Sequence, residues 1–227
     1  MREAKISEIF LSLQGEGIYV GVPQVFVRFY DCNLSCAFCD TRTPGYKTFT
    51  PDTLMSGILE FEGPYHSVSL TGGEPLLQAD FIKNFLKEYK RFYKKGIYLE
   101  TNGTLPKELA KVIEFIDIVA MDFKLPSSAG NTGFWREHKE FLKIASAKKV
   151  FVKAVVTANT VLADITRAVE IVKSVKKSIP VVLQPVTTPR EEERIKPKDL
   201  DEFRFTFKRS IDRVEVMPQM HRLIGVK

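Results

Sequence analysis

The sequence predicts an α/β protein built on a mostly parallel sheet, curved as a partial, open βα barrel. Three observations carry this expectation. Apolar, β-branched runs recur at 25–30, 67–70, 97–100, 116–123, 150–156, 181–186 and 214–217. Helical patterns lie between most of them, and alternating strands and helices form βα units with parallel strands. The chain has 227 residues, little room for a complete eight-stranded barrel of about 250 residues. A reduced helix complement is therefore expected. The runs are almost continuously apolar, which predicts a sheet buried on both faces.

In chain order, VFVRFY (25–30) leads into DCNLSCAFCD, and SVSL (67–70) into TGGEP (71–75). Phe81, Phe85, Leu86, Tyr89, Phe92 and Tyr93 recur at three- and four-residue steps, predicting a helix over 80–94. IYLE (97–100) closes in ETNGT (100–104), IDIVAMDF (116–123) runs into DFKLPSS (122–128), and VFVKAVV follows at 150–156. Val161, Leu162, Ile165, Val169 and Val172 predict a helix over 161–173. VVLQPV (181–186) ends in QPV, a weaker helical pattern spans 198–209, and VEVM closes the series at 214–217. There is no linker and no internal repeat, so 1–227 reads as one domain. The polar and Gly-rich motifs all fall at carboxyl ends of predicted strands, where sheets of this kind bind ligands.

Composition excludes several classes. Hydrophobic residues make up 44% of the chain, ordinary for a globular protein and too many for disorder. Lys plus Arg number 34 against 28 Asp plus Glu, a net +6. The basic residues are spread along helices with glutamates among them, as in KNFLKEYKRFYKK. That is the pattern of a solvated helix face, and no direct nucleic-acid binding is expected. No apolar run reaches the ~18–20 residues of a membrane span. The first residues lack a signal layout, so a cytoplasmic location is expected.

The three cysteines, Cys32, Cys36 and Cys39, lie within eight residues. An odd number cannot pair within one chain, and buried structural cysteines rarely crowd so closely. A zinc site would need a fourth ligand, and His66, His138 and His221 are not at finger-like spacing. Three thiolates on one short loop suit a cubane iron–sulfur cluster with one iron left open to an outside ligand.

The spacing C-x3-C-x2-C, with Phe38 just before Cys39, resembles the radical S-adenosylmethionine (SAM) superfamily. The resemblance implies a 4Fe-4S cluster on Cys32, Cys36 and Cys39. Its open iron chelates SAM, and reduction cleaves SAM to a 5′-deoxyadenosyl radical. The chemistry belongs to the cofactors, and no further catalytic side chain is expected. Phe38 and Asp40, which flank Cys39, are implied on the SAM side. Gly72 and Gly73 lack a Cβ that would keep a ligand from the backbone, and Gly73 with Glu74 is implied to meet the SAM amino group. A strand-to-helix turn with Pro75 at its start is the plainer reading. Glu100 and Asn102 can bond ribose hydroxyls or form an Asn-Gly turn. Lys124 suits a carboxylate, Ser127 or Ser128 a ribose or carboxylate oxygen, or the loop is merely polar. Gln184 suits the adenine edge or a neighbouring backbone group.

Within the superfamily, ISEIFLSLQGEG (6–17), Arg28, Asp40-Thr41 after Cys39, TGGEP, ETNGT and the terminal PQMHRLIGVK resemble the 7-carboxy-7-deazaguanine synthase family over nearly the full length. The short cysteine spacing and the short segment between Thr41 and TGGEP depart from longer members. The resemblance implies conversion of 6-carboxy-5,6,7,8-tetrahydropterin to 7-carboxy-7-deazaguanine with loss of ammonia, a step toward queuosine and archaeosine. It implies Mg2+ on Thr41 beside the substrate carboxylate. Leu13, Gln14, Gly15 and Glu16 are implied to meet the pterin edge, Arg28 its carboxylate, Thr71 another substrate atom, and His221 the site from the tail. Plainer readings are a tight Gly-rich hairpin for 14–17, a strand-face arginine, a capping Thr41 and a tail-packing histidine. A flavodoxin- or ferredoxin-like electron donor and a homodimer are further expectations. The rival readings are a glycyl-radical-enzyme activase or other small radical SAM enzyme, and a non-catalytic iron–sulfur module. The set LQGEG (13–17), Arg28 and Thr41, which looks fitted to a small carboxylated heterocycle, argues against the activase.

Overall fold

Strand-forming runs and helical stripes assemble around one sheet. The computed structural model describes residues 3–41, 45–220 and 225. Its strands are β1 (Ala4–Leu13), β2 (Pro23–Phe29), β3 (Lys47–Phe49), β4 (Ser67–Gly72), β5 (Gly96–Thr101), β6 (Ile118–Asp122), β7 (Lys149–Val156), β8 (Val181–Pro185) and β9 (Val214–Val216). Among the described residues they form a 9-stranded sheet in the order β3-β1-β2-β4-β5-β6-β7-β8-β9. From β2 to β9 every pair is parallel, whereas β1 runs antiparallel to both β2 and β3. The sheet does not close on itself, as the chain length requires of a partial barrel.

Each crossover carries a helix: α1 (Pro51–Leu59), α2 (Ala79–Phe92), α3 (Pro106–Val112), α5 (Trp135–Ala145), α6 (Leu162–Val175) and α7 (Pro197–Lys208), with the one-turn α4 (Pro126–Ala129) after β6. Proline opens α1, α3 and α7, where its missing N–H costs nothing and its fixed φ fits. Thr50 and Thr53 cap α1 reciprocally, each side-chain oxygen accepting the other's backbone N–H. The stripe Phe81, Ile82, Phe85, Leu86 and Tyr89 of α2 is buried against the sheet, each such side chain adding roughly 1.5–3 kcal/mol. Phe92 ends the helix and is 68% exposed, a departure from the periodic reading. Val161 and Leu162, read as core, are exposed at the start of α6. The segments that sequence periodicity left unassigned, β1, β3, α1, α3 and α5, are short or of mixed composition, and packing on their neighbours decides them.

The two faces of the sheet differ, which corrects the expectation of uniformly apolar strands. Side chains alternate. Val25, Val27, Phe29, Leu70, Leu99, Val119, Met121, Val152, Ala154 and Leu183 face the helices in one large core. Between them on the same strands stand Gln24, Arg28, Thr71, Glu100, Asp122, Lys153 and Gln184. These belong to the concave side. Its apolar floor is a small second cluster of Tyr98, Ile118, Ala120, Phe151 and Val182, with Ile18, Tyr19 and Met217 packed on it. Polar residues hide within apolar runs because every second position faces the lumen. Among the described residues no helix is long and apolar enough to cross a membrane.

Candidate active site

A cleft of about 740 Å³ opens at the carboxyl ends of the parallel strands. Cys32, Cys36 and Cys39 line it, together with Gly73, Asn102, Lys124, Gln184, Leu13, Gln14, Gly15, Glu16, Arg28 and Thr71. Phe38, Asp40, Thr41 and Glu100 also border it. The fold thus gathers onto one rim most residues that the sequence marked. His221 lies outside the described residues. Glu74 and Ser127 do not line the cleft.

The cysteine loop is shaped by backbone. Asp31 leaves β2 with φ 72°, in the left-handed region, an uncommon conformation that aspartate tolerates better than most residues. The Phe29 and Asp31 carbonyls accept the N–H groups of Gly73 (3.1 Å) and Glu74 (2.9 Å). The Gly-rich turn is therefore bonded to the root of the cysteine loop. A Cβ on Gly72, where φ is +135°, would strike the Phe29 carbonyl, and one on Gly73 the Asp31 carbonyl. Close approach of two chain segments is what requires these glycines, before any ligand is considered. From the far side, Ala37 N–H bonds the Ala129 carbonyl at 2.9 Å. The three thiols are free. Leu34 N–H donates to the Cys32 sulfur (3.4 Å) and Asn131 Nδ2 to that of Cys36 (3.3 Å). Burial pushes both thiols above the usual cysteine range, with Lys124 acting the other way. Sulfurs on one loop, facing a cleft and receiving N–H donors, fit thiolate ligation of an iron–sulfur cluster.

Glu74 serves the frame. Its carboxylate is fully buried and accepts from Leu76 N–H (3.0 Å), Asn102 N–H (2.7 Å) and the Thr101 hydroxyl. Burial raises its pKa to about 7, against the pull of those donors. The carboxylate thus ties the end of β4 to β5, and of the two residues expected near the SAM amino group it is Gly73 that lines the cleft. Ser127 is also engaged within the frame, as in the plainer reading of a polar loop. Its hydroxyl donates to Asp164 (2.6 Å) and accepts from Val161 N–H (3.1 Å), closing the start of α6. Ser128 is buried against Thr160 at 2.7 Å.

Lys124 pairs with Asp122 at 2.8 Å and sits 5.1 Å above the Phe38 ring. Asn102 is held by Asn33 (2.9 Å) and by the Thr104 hydroxyl and N–H. Gln184 is fully buried, and among the described residues neither its amide nitrogen nor its oxygen has a partner. Such a group is costly when unpaired, and this one borders the cleft, so a ligand with a matching donor–acceptor edge would satisfy it.

Gln14, Glu16, Thr71, Glu100 and Lys153 belong to a polar network along the cleft. Gln14 Nε2 donates to Gln24 (3.0 Å) and Glu100 (2.6 Å), and its Oε1 accepts from Glu16 N–H (3.0 Å). Thr71 donates to Glu100 at 3.1 Å. Lys153 binds the Glu16 carboxylate and lies 3.4 Å from Asp122. Burial tends to raise the pKa of both carboxyls, but the lysines outweigh it and both stay below the usual range. Lys153 is correspondingly raised, Glu16 and Asp122 overcoming its burial. Arg28 Nε pairs with Glu8 at 2.6 Å, and its guanidinium lies 5.4 Å from the Phe10 ring centre. Glu8, Asp122, Lys153 and Gln219 were not singled out in the sequence, although Glu8, Asp122 and Gln219 stand inside the motifs quoted above and Lys153 interrupts the apolar run VFVKAVV.

Comparison with known proteins follows this geometry. The radical SAM superfamily pattern matches residues 26–195. The chain is 39% identical to the 7-carboxy-7-deazaguanine synthase of Geobacter sulfurreducens, over 98% of this chain and 97% of that one. It is 33% identical to that of Methanothermobacter thermautotrophicus, over 100% and 99%. Among solved structures it is similar in fold to QueE from Escherichia coli, with a TM-score of 0.63, 21% identity, and 96% and 95% of the two chains covered.

Proposed function

Because the chain belongs to the 7-carboxy-7-deazaguanine synthase family of the radical SAM superfamily, we propose that the rim cleft holds an iron–sulfur cluster, SAM and a carboxylated pterin side by side. The enzyme is a radical SAM lyase of deazapurine biosynthesis. We read its reaction as ring contraction of 6-carboxy-5,6,7,8-tetrahydropterin to 7-carboxy-7-deazaguanine with loss of ammonia. The observation that carries this reading is the joining, in one cleft, of the three-cysteine loop with Gln14, Gly15, Glu16 and Arg28.

When bound, the cluster and SAM supply the radical that starts the reaction. The chain supplies position. Cys32, Cys36 and Cys39 would hold the cluster through their thiolates. Gly73, Asn102, Lys124 and Gln184 form the SAM side, with Phe38 and Asp40 flanking the last cysteine. Glu100, first read as a ribose ligand, stands with Gln14 and Thr71 in the polar network, which favours the substrate side. Arg28, fixed through Nε by Glu8, keeps its terminal N–H groups for the substrate carboxylate. Glu16, held anionic by Lys153, accepts from the pterin amino group, and matched buried hydrogen bonds of this kind discriminate strongly between similar heterocycles. Thr41 would offer one oxygen to Mg2+, an ion that needs few protein ligands because it readily keeps waters. Leu13 and Gly15 border the substrate side.

We read the whole chain as one domain acting as a cytoplasmic homodimer, reduced by a flavodoxin- or ferredoxin-like donor and not itself binding nucleic acid. The test is an anaerobic incubation of iron–sulfur-reconstituted protein with SAM, reductant, Mg2+ and the pterin, with products weighed by mass spectrometry. Carboxydeazaguanine is expected. 5′-Deoxyadenosine alone would discard the substrate. Arg28→Ala is expected to raise the pterin KM about 10- to 100-fold, the loss of one charge-assisted hydrogen-bonded pair, with uncoupled SAM cleavage retained. Equal loss of both would refute the clamp.

A further inference from the structure

Gln219 lies in the PQMHR stretch that follows β9, far in sequence from the cleft it borders. It is buried. Its Oε1 accepts from Thr187 N–H at 3.1 Å. That bond fixes the orientation of the amide, so Nε2 must point the other way. Its two protons go to two carboxylates: Glu16 Oε1 at 3.0 Å and Asp40 Oδ2 at 3.1 Å. The next residue repeats the attachment through backbone, Met220 N–H bonding the Gly15 carbonyl at 2.9 Å. Just before, Met217 packs on the apolar floor and bonds the Leu183 carbonyl at 3.0 Å.

One neutral side chain therefore joins three segments: the Gln14–Gly17 loop, the residue after the last cysteine, and the chain leaving β8 just beyond Gln184. An amide suits this place. It gives one donor to each of two like charges without adding a charge of its own. A lysine would compete with Lys153 for Glu16, and a carboxylate would repel both.

We infer that Gln219 is a positioning residue that sets the substrate loop against the cluster loop, so that SAM cleavage is coupled to substrate turnover. The inference rests on the functional reading above for what Glu16 and Cys39 hold. Gln219 acts through Glu16 and Asp40 and needs no contact of its own with the reacting atoms. A displacement of about 1 Å between reacting partners can cost about 100-fold in rate, so a part that fixes the distance between two loops has large leverage.

The test compares Gln219→Ala and Gln219→Glu with wild type. Gln219→Glu keeps the size and the acceptor for Thr187 N–H but places a third carboxylate against Glu16 and Asp40. A packing role predicts that Glu replaces Gln well. The positioning role predicts that Gln219→Glu is the worse variant. With cluster content matched by iron and sulfide analysis, both variants are expected to release several-fold more 5′-deoxyadenosine per product, with product formation down about 10-fold. A proportional fall of both products, or a silent Gln219→Glu, overturns the inference.

Hydrogen–deuterium exchange of the cluster-loaded protein without substrate gives an independent reading. Faster exchange in 14–21 and in 36–41 together is expected in Gln219→Ala. Loosening of the tail alone overturns it. If wild type makes no carboxydeazaguanine, the substrate reading fails, and the exchange result still decides whether Gln219 joins the two loops.

Discussion

Lys153 stands in the middle of an apolar strand and answers to residues far away in sequence. It binds Glu16 and lies beside Asp122. A carboxylate whose pKa is lowered by folding adds stability above its unfolded pKa and loses it as pH falls through the folded one. Wild type should therefore lose this contribution only on the acid side. In Lys153→Met the neighbouring cation is gone, burial dominates at Glu16, and its pKa rises. A raised carboxyl acts oppositely, losing stability as pH increases. The variant is expected to be destabilised by roughly 3–5 kcal/mol at pH 7, the usual cost of removing one partner from a buried pair. The deficit should shrink toward pH 4. Urea unfolding at pH 4.5 and pH 7.5 checks this, and equal deficits would contradict it. At this scale the sequence showed the residues that act as a local group. Cys32, Cys36 and Cys39 are legible from spacing alone. Glu8, Asp122, Lys153 and Gln219 are not, because each matters through a partner brought in by the fold.

Elements carry their own tests. Gly72 ends β4 with φ +135° and has the Phe29 backbone where a Cβ would sit, whereas Gly21 has φ +82° and nothing within 4 Å. Both substitutions to Ala strain the backbone, by about 1–3 kcal/mol. Only Gly72→Ala must also push the turn off the cysteine loop. It is expected to lower Tm well beyond Gly21→Ala and to impair cluster reconstitution, measured by iron content. Similar shifts for both would show that the contact between turn and loop is dispensable. The parallel strands were read correctly because β-branched runs mark them whatever their neighbours. β1 was met only as a motif. Its alternating pattern becomes a strand through pairing with β2 and β3. The Phe92 position shows the limit of periodicity: a residue in step with a helical stripe still lies outside the core once the helix ends there.

For the whole molecule, the open sheet leaves β3 and β9 as edges, each of three residues. Edges so short offer little template for another strand. The proposed homodimer is thus expected to form through a face of the protein, not by extending the sheet. Analytical ultracentrifugation should give a mass about twice the 25.9 kDa of one chain, unchanged by a proline placed in β9. A monomer at micromolar concentration would remove the dimer from the proposal.

The sequence by itself determined the parallel α/β architecture, the placing of polar motifs at strand ends and the three-cysteine loop. These depend on local composition and spacing, which no partner is needed to express. Only the tertiary structure decided which polar residues face the cleft and which brace it. Glu74 and Ser127 sit in motifs that look ready for ligands, yet their oxygens are taken up by backbone and hydroxyl donors from neighbouring elements. Gln219 looks like any tail residue, yet it meets Glu16 across 203 positions of chain. Hydrogen-bond satisfaction is a property of what surrounds a group after folding, and that surrounding is not written beside the residue in the chain.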